Sequence, residues 1–399
     1  MQREGQAGVP WKVLVIDRQT KNARLVIPSP GGYSISPPVW LANGKEIVYL
    51  QNESVGSINL PSLAAQGINL PSGGIVRVVR QDVFSGAAKI LLRIPHDYDG
   101  LDIMGSGRLV FGEVSARQSL QEISLQGKPV RWLTRGNSQD RQPAYSPDGE
   151  WVIFTSTRSG NKDLWEISTR TGAVRRLTDD PADDWDPAFT PDGTKILWSS
   201  NRSGHLEIWM AAADGSGSRQ VTDDGSDAEN PTMTRDGQWI VYGSGNPAKS
   251  GVWKIRADGS QATQLVAGVT VIPDISPDGQ YAAYILGQSL RVVRVKDGAA
   301  MPFEVPIAFR PRWMPDGRSI AFMGTDDKRA MGVFVQDFVP GQDTSKSRRK
   351  LAGFDPDMPA ESYGIPPDGS RVTVSFLEPL SSLMLADGVA GIVPPSRGK

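Results

Sequence analysis

The stretch "YSPDGEWVIFTSTRSGNKDLW", Tyr145 to Trp165, has a near-copy forty-four residues later, "FTPDGTKILWSSNRSGHLEIW", Phe189 to Trp209. A period of this length marks a repeat architecture, and it decides the fold before any motif is weighed. Pro-Asp-Gly sets the register at Pro147-Asp148-Gly149, Pro191-Asp192-Gly193, Pro277-Asp278-Gly279, Pro315-Asp316-Gly317 and Pro367-Asp368-Gly369. Arg235-Asp236-Gly237 and Ala42-Asn43-Gly44 are variants, and Gly105-Ser106-Gly107 is a weaker one. The eight copies stand mostly 38 to 44 residues apart, so each is one structural unit of that length.

Every copy follows one plan. A short strand runs into the turn, where Pro presets φ and Gly relieves the exit of a type I turn. A second strand follows, as in "WVIFTS", "KILWSS" and "WIVYGS". It is β-branched and aromatic, and apolar on both faces, which predicts a strand sandwiched between layers. A polar loop leads to a third strand, with Trp165, Trp209 and Trp253 at matching positions. A hairpin turn then leads to a fourth strand such as "VRRLT" or "SRQVT".

Four antiparallel strands per period imply an all-β propeller, because one blade cannot bury both faces alone and a ring of blades can. The expectation is a single β-propeller domain over residues 1–399 with eight blades, or seven if the copy around Gly105 forms none. Before the first turn, "WKVLVIDRQTKNARLVI" reads as a third-and-fourth-strand hairpin. After the last, "RVTVSF" and "LMLAD" read as second and third strands with a feeble fourth. The ring is therefore expected to close by N-terminal strands completing the last blade. The first copy carries a loop insertion over residues 51–74, with "INLPS" at Ile58 to Ser62 and again at Ile68 to Ser72. Residues 391–399 read as a flexible C-terminal tail.

Composition excludes some chemistry. Net charge is -1, which favours neither nucleic acid nor an anionic membrane as partner. The chain has no cysteine, so disulfides, thiolate metal sites and cysteine nucleophiles are out. No apolar run is long enough to span a bilayer as a helix, and the first residues lack a signal-peptide pattern. Compartment stays open on these grounds. The two histidines, His96 and His205, are isolated, so a zinc site or a Ser-His-Asp triad is hard to assemble. No cofactor is expected.

The string from "SPDG" through "RSG" to the third-strand Trp, then "DG" and "LT", resembles the WD40-like repeats of the TolB family. The resemblance is specific across Gln142 to Val266 and in register over nearly the whole chain. It implies an extracytoplasmic binding protein, periplasmic in the case of TolB. Similar repeats form the non-catalytic propeller of prolyl-oligopeptidase-like peptidases and the C-terminal half of some bacterial serine/threonine kinases. The ending "ESYGIPPDGSRVTVSFLEPLSSLMLADGVAGIVPP" is most similar to the kinase group. No kinase motif set and no G-x-S-x-G elbow is present, so in either enzyme class this chain would be an accessory domain.

Candidate sites follow from where the copies disagree. In a propeller the first strand lines the central channel, so residues leading into it rim one mouth. Aligned on Pro143, Pro187, Pro231, Pro273 and Pro311, the preceding pairs are Arg141-Gln142, Trp185-Asp186, Glu229-Asn230, Val271-Ile272 and Phe309-Arg310. The outer copies offer Asp99-Gly100 and Glu361-Ser362. Asp99, Arg141, Trp185, Asp186, Glu229, Asn230, Arg310 and Glu361 are therefore the candidate ligand- or partner-binding residues. The expected function is a non-catalytic binding or scaffold propeller, monomeric, engaging a protein or peptide at the channel mouth or the 51–74 loop. The alternative is a lactonase-type hydrolase with a divalent metal held by Asp186, Glu229 and Glu361. The turn aspartates read as turn formers, since one carboxylate per turn is too few for calcium. "SKSRRK", Ser345 to Lys350, reads as a solvated hairpin tip.

Overall fold

A computed structural model describes residues 13–17, 19–27, 33–53, 75–94, 98–104, 108–125, 129–268, 270–306, 308–328, 330–354, 359–390 and 392. Apart from one short 3-10 turn at Ser345–Ser347, every named element is a strand. The chain, expected as one domain, divides into two compact units: Met1–Ala116 with Pro379–Lys399 as unit 1, and Arg117–Glu378 as unit 2.

Unit 2 is the propeller. Its innermost strands, in chain order, are Asp140–Tyr145, Asp184–Phe189, Ala228–Met233, Thr270–Ile275, Phe309–Trp313 and Ala360–Gly364. Each leads an antiparallel sheet that unit 2 supplies with four strands. These are the first to sixth blades here. The ring closes through the sixth. Its inner two strands are Ala360–Gly364 and the start of Arg371–Ala386; the latter pairs with the end of Leu109–Ser124, which in turn pairs with Pro129–Trp132.

The closing strands are thus N-terminal to the first blade, as the strand pattern suggested, but they are not the "WKVLVID" hairpin. That hairpin, Val13–Ile16 with Ala23–Ile27, forms a two-stranded sheet of its own among the described residues. Among the described residues unit 2 holds six sheets, fewer than the eight copies of the repeat. The reason lies in the copy around Gly105. Its second strand does not turn back but runs on for sixteen residues, Leu109–Ser124, and becomes the third strand of the closing blade. "RVTVSF" and the first four residues of "LMLAD" likewise lie on one sixteen-residue strand, Arg371–Ala386, rather than on a hairpin.

The turns behave as their residues dictate. Gly149, Gly193, Gly237, Gly279, Gly317 and Gly369 each donate their N–H to the carbonyl three residues back, at 2.7–2.9 Å. Each turn aspartate accepts the N–H two residues on, as Asp148 does from Glu150 at 2.9 Å. The carboxyls of Asp148, Asp192 and Asp236 are held below their usual range, first by the Ser146, Thr190 and Thr234 hydroxyls. Their oxygens serve the turn itself. The turns also stack around the ring. A Cβ on Gly193 would lie 3.4 Å from Pro147 Cδ, and one on Gly149 would lie 3.4 Å from Pro367 Cδ, which joins the first blade to the sixth. Each of these glycines has φ near +70°, a region closed to most side chains.

Second strands apolar on both faces become the sandwich between blades. Ile196 and Trp198 pack with Ile153 on one side, while Leu197 packs with Ile240 and Tyr242 on the other. Val241 turns to Ala282 and Tyr284, and Ala283 and Ile285 to Ile320 and Phe322. Ala321 and Met323 meet Val372, Val374 and Phe376. Alternation at period two sends successive side chains to successive interfaces.

The Arg-Ser-Gly loop is also structural. Arg158 donates to Ser156 at 2.8 Å and Asp140 at 2.8 Å, with its guanidinium over Phe154 and Trp165. Arg202 repeats this with Ser200, Asp184, Trp198 and Trp209. The third blade lacks the arginine. There Lys249 pairs with Asp224 at 3.0 Å and sits over Trp253.

Unit 1 pairs Glu46–Glu53 with Tyr33–Ile35 and Val39–Trp40 on one side and with Ile75–Asp82 on the other, followed by Ala88–Ile94. Ile47 and Tyr49 pack with Val26 and Ile27 of the hairpin; Val48 and Leu50 pack with Leu109 and Phe111. His96 and residues 54–74 of the insertion lie outside the described residues, as does the 391–399 tail apart from Ile392.

Candidate functional site

The five aligned prolines create one backbone device. At each of the first five inner strands the residue before proline is left-handed: Gln142 at φ +56°, Asp186 at +50°, Asn230 at +55°, Ile272 at +57° and Arg310 at +50°. The ladder skips there, between Arg141 and Ala144 and at the matching places of the other four strands. Proline offers no N–H to the ladder, so a bulge at this place loses little. The bulge brings the variable pairs of neighbouring blades together around the channel.

The contacts form one polar web. Arg141 of the first blade donates to Oε1 of Glu361 in the sixth at 2.8 Å, and Arg310 of the fifth donates to the same oxygen. The Gln142 side-chain amide donates to Asp186, and the Asp186 N–H donates back to the Gln142 amide oxygen at 3.1 Å. Gln142 N–H donates to the Ser362 hydroxyl at 2.9 Å. Arg310 also stands 3.7 Å from Asp186. Asp186 belongs to the second blade, three places from the fifth in a six-membered ring, so Arg310 reaches across the channel. Trp185 lies under two cations, Lys162 at 3.9 Å and Arg141 at 5.3 Å from its ring.

Burial sets the charges of the web. Glu361 is buried, which alone would raise it, but the Arg141 and Arg310 charges override burial and bring its carboxyl down to about 2. Burial pushes Asp186 up, against the pull of Arg310 and Arg141. Burial and then the charges of Asp186 and Asp227 push Glu229 up to about 7. Within the web, Arg141 Nε and Glu361 Oε2 are buried and donate or accept no hydrogen bond among the described residues.

The structure therefore assembles seven of the eight candidates at the inner strands of one ring: Arg141, Trp185, Asp186, Glu229, Asn230, Arg310 and Glu361. Asp99 is a correction. It lies on Tyr98–Ile103 of unit 1, off the ring, and its side chain is outside the described residues. The pairing of its copy with the others failed because that copy forms no blade of its own. His205 stands in its loop, 3.2 Å from Glu207. The "SKSRRK" run is tied down at Arg348–Gln336, Arg349–Asp337 and Lys350–Asp326.

Sequence reasoning missed a second set, Asp274 and Arg312. They follow Pro273 and Pro311, where other copies have Ala144, Ala188 and Thr232. Opposite charges at matching positions of adjacent copies were the available signal. In the structure Arg312 lies 3.6 Å from Asp274, which also accepts the Trp313 N–H at 2.6 Å. They line a cavity of about 220 Å³ within the ring, with Gln142, Asp186 and Asn230 beside four prolines and Tyr145, Phe189 and Trp313.

Comparison with known proteins agrees with this architecture. Residues 125–297 match the family model described as TolB beta propeller domain. A TolB-assigned protein from Agrobacterium tumefaciens is similar at 20% identity and TM-score 0.54, over 67% of this chain and 100% of that one. TolB from Acinetobacter baumannii is similar at 18% identity and TM-score 0.37, over 74% of this chain and 59% of that one. An oligogalacturonate lyase from Vibrio parahaemolyticus is similar at 13% identity and TM-score 0.44, over 70% of this chain and 90% of that one. At such identities the likeness speaks for the fold, and below a TM-score of 0.5 it carries no weight. The period, the ring of inner strands and the match over residues 125–297 agree on one architecture, a β-propeller similar to the TolB beta propeller domain.

Proposed function

We propose that this chain is a non-catalytic binding propeller that docks a protein or peptide at the channel mouth rimmed by Arg141, Trp185, Asp186, Glu229, Asn230, Arg310 and Glu361. One observation carries the reading. The positions that differ between copies are the ones the strained bulges gather into a single polar web, while the positions shared by the copies serve turns and blade interfaces. Strained backbone of this kind persists where its surroundings hold it, and it clusters at binding sites.

The donor set favours binding over metal-assisted hydrolysis. Asp186 and Glu361 converge on the Arg310 guanidinium, which stands where a shared cation would have to sit. Among the described residues no three carboxylates or histidines are grouped as a metal site. The test is capture of partners by the full chain and by Trp185→Ala and the double variant Asp186→Ala, Glu229→Ala. Partners retained by the wild type and lost by both variants support the mouth; identical partner sets for all three remove it.

A further inference from the structure

The residue after each aligned proline holds one register around the ring, and the copies disagree there too. Ala144, Ala188 and Thr232 occupy it in the first three blades, Asp274 and Arg312 in the fourth and fifth, and Gly364 in the sixth. A Cβ on Gly364 would lie 2.5 Å from the Pro143 carbonyl oxygen, so the sixth blade can place no side chain at this level. Four neighbouring blades thus present small groups and the other two present an ion pair. The cavity of about 220 Å³ is the space that the small groups leave, and the ion pair stands on its far wall. Gln142 and Asp186, hydrogen-bonded to each other, bound it on the side of the web.

The polar groups of this wall have bonding capacity to spare. Arg312 is half-buried, and among the described residues it donates only to the carbonyl of its neighbour Pro311, at 3.3 Å. Its approach to Asp274 Oδ1, at 3.6 Å, is too long for a hydrogen bond. Most of its five donors are therefore open. Asp274 accepts the Trp313 N–H on Oδ2 at 2.6 Å, which leaves Oδ1 facing Arg312. The rest of the lining is apolar. Tyr145 bonds its hydroxyl to Thr373 and Glu122, and Trp313 donates its indole N–H to the Asp274 carbonyl, so both rings offer the cavity carbon surface. The four lining prolines bring no N–H.

A guanidinium and a carboxylate side by side against apolar walls select a ligand with both charges on neighbouring atoms. A lone anion would meet Asp274 as a like charge, and a lone cation would meet Arg312. A peptide carries its terminal charges too far apart to answer a pair only 3.6 Å long. The planar fork of an arginine matches a carboxylate, and an ammonium brings three donors to a carboxylate oxygen. The volume lies below the roughly 300–1,000 Å³ of drug-sized pockets, which suits one small molecule.

We propose that this cavity binds a free α-amino acid with an apolar side chain, its carboxylate on Arg312, its ammonium on Asp274 Oδ1 and its side chain against Ala144, Ala188 and Phe189. The site goes beyond the docking reading above and does not depend on it.

The test is calorimetric titration of the full chain with leucine and four relatives: 4-methylpentanoate, which lacks the ammonium, 3-methylbutylamine, which lacks the carboxylate, glycylleucine, which separates the charges, and aspartate, which adds one. Leucine is expected to bind, and each of the others at least tenfold more weakly. Arg312→Gln and Asp274→Asn should each weaken leucine at least tenfold while keeping β-rich circular dichroism and a cooperative melt. If a variant does not fold, the ligand series on the wild type decides alone. No leucine binding up to about 10 mM overturns the proposal. So does equal binding of either single-charge analogue, of glycylleucine or of aspartate, and so does unchanged leucine binding by folded Arg312→Gln. If leucine fails to bind while partner capture still depends on Trp185 and Asp186, this proposal falls and the docking reading stands. If leucine binds as expected while partner capture ignores those variants, only the docking reading falls.

Discussion

At the scale of single residues, the web makes sharp claims. Arg310 is buried and holds both Glu361 and, across the channel, Asp186. Arg310→Met leaves Asp186 without its ion-pair partner and Glu361 with one arginine, and should cost about 3–5 kcal/mol in urea unfolding. Ile272 is the only β-branched residue among the five left-handed ones, at φ +57°. Asn230 fills the same place in the third blade. Ile272→Asn should stabilise by about 1 kcal/mol, read as a raised urea midpoint. pH dependence has two windows. Glu229 has a folded value raised from 4.5 to about 7, so the folded state holds the extra proton and stability falls as pH rises through that interval. Glu229→Gln should flatten stability there. Glu361 is lowered from 4.5 to about 2, so its contribution is present above that interval and is lost as pH falls through it.

At the scale of elements, the repeated turn and the Arg-Ser-Gly loop are the frame that aims the rim. Asp184 is fully buried and accepts from Trp198 Nε1 at 3.0 Å and from Arg202 at 3.0 Å. Asp184→Ala strands the Trp198 Nε1 donor and leaves Arg202 with Ser200 and Asp180 alone, and should cost about 3 kcal/mol in thermal unfolding. Much of this frame was legible. The Pro-Asp-Gly spacing set the strands, and doubly apolar second strands implied the sandwich between blades. The rim positions were legible too, because they vary where the rest repeats. What was not legible was pairing. That Arg310 meets Asp186 depends on the two blades standing opposite, a fact about ring size. Asp99 was misplaced because a weak copy was aligned as though it formed a blade. Asp274 and Arg312 were passed over because the comparison of copies stopped at the pair before each proline, while their opposite charges stand just after it.

At the scale of the whole molecule, the six-sheet ring of unit 2 is closed by strands from its own two ends. The fragment Arg117–Glu378 should therefore fold alone, with β-rich circular dichroism and one cooperative melt; a molten or insoluble fragment would show that the ring needs the rest of the chain. The units also differ in surface. Among the described residues, eleven of the fourteen large apolar side chains that stand exposed belong to unit 1, including Leu14, Ile16, Phe84 and Leu383, although it is the smaller unit. The polar web belongs to unit 2.

Taken alone, the sequence determined the blade: its turns, its four strands, its two apolar faces and the places where the copies differ. These are local matters, set by φ restrictions at Pro and Gly and by period-two alternation. The tertiary structure decided how many blades close the ring, which strands close it, and which rim charges face one another. Those depend on where two sixteen-residue strands fail to turn and on blades far apart in sequence meeting across a channel, and no spacing within a single copy encodes either.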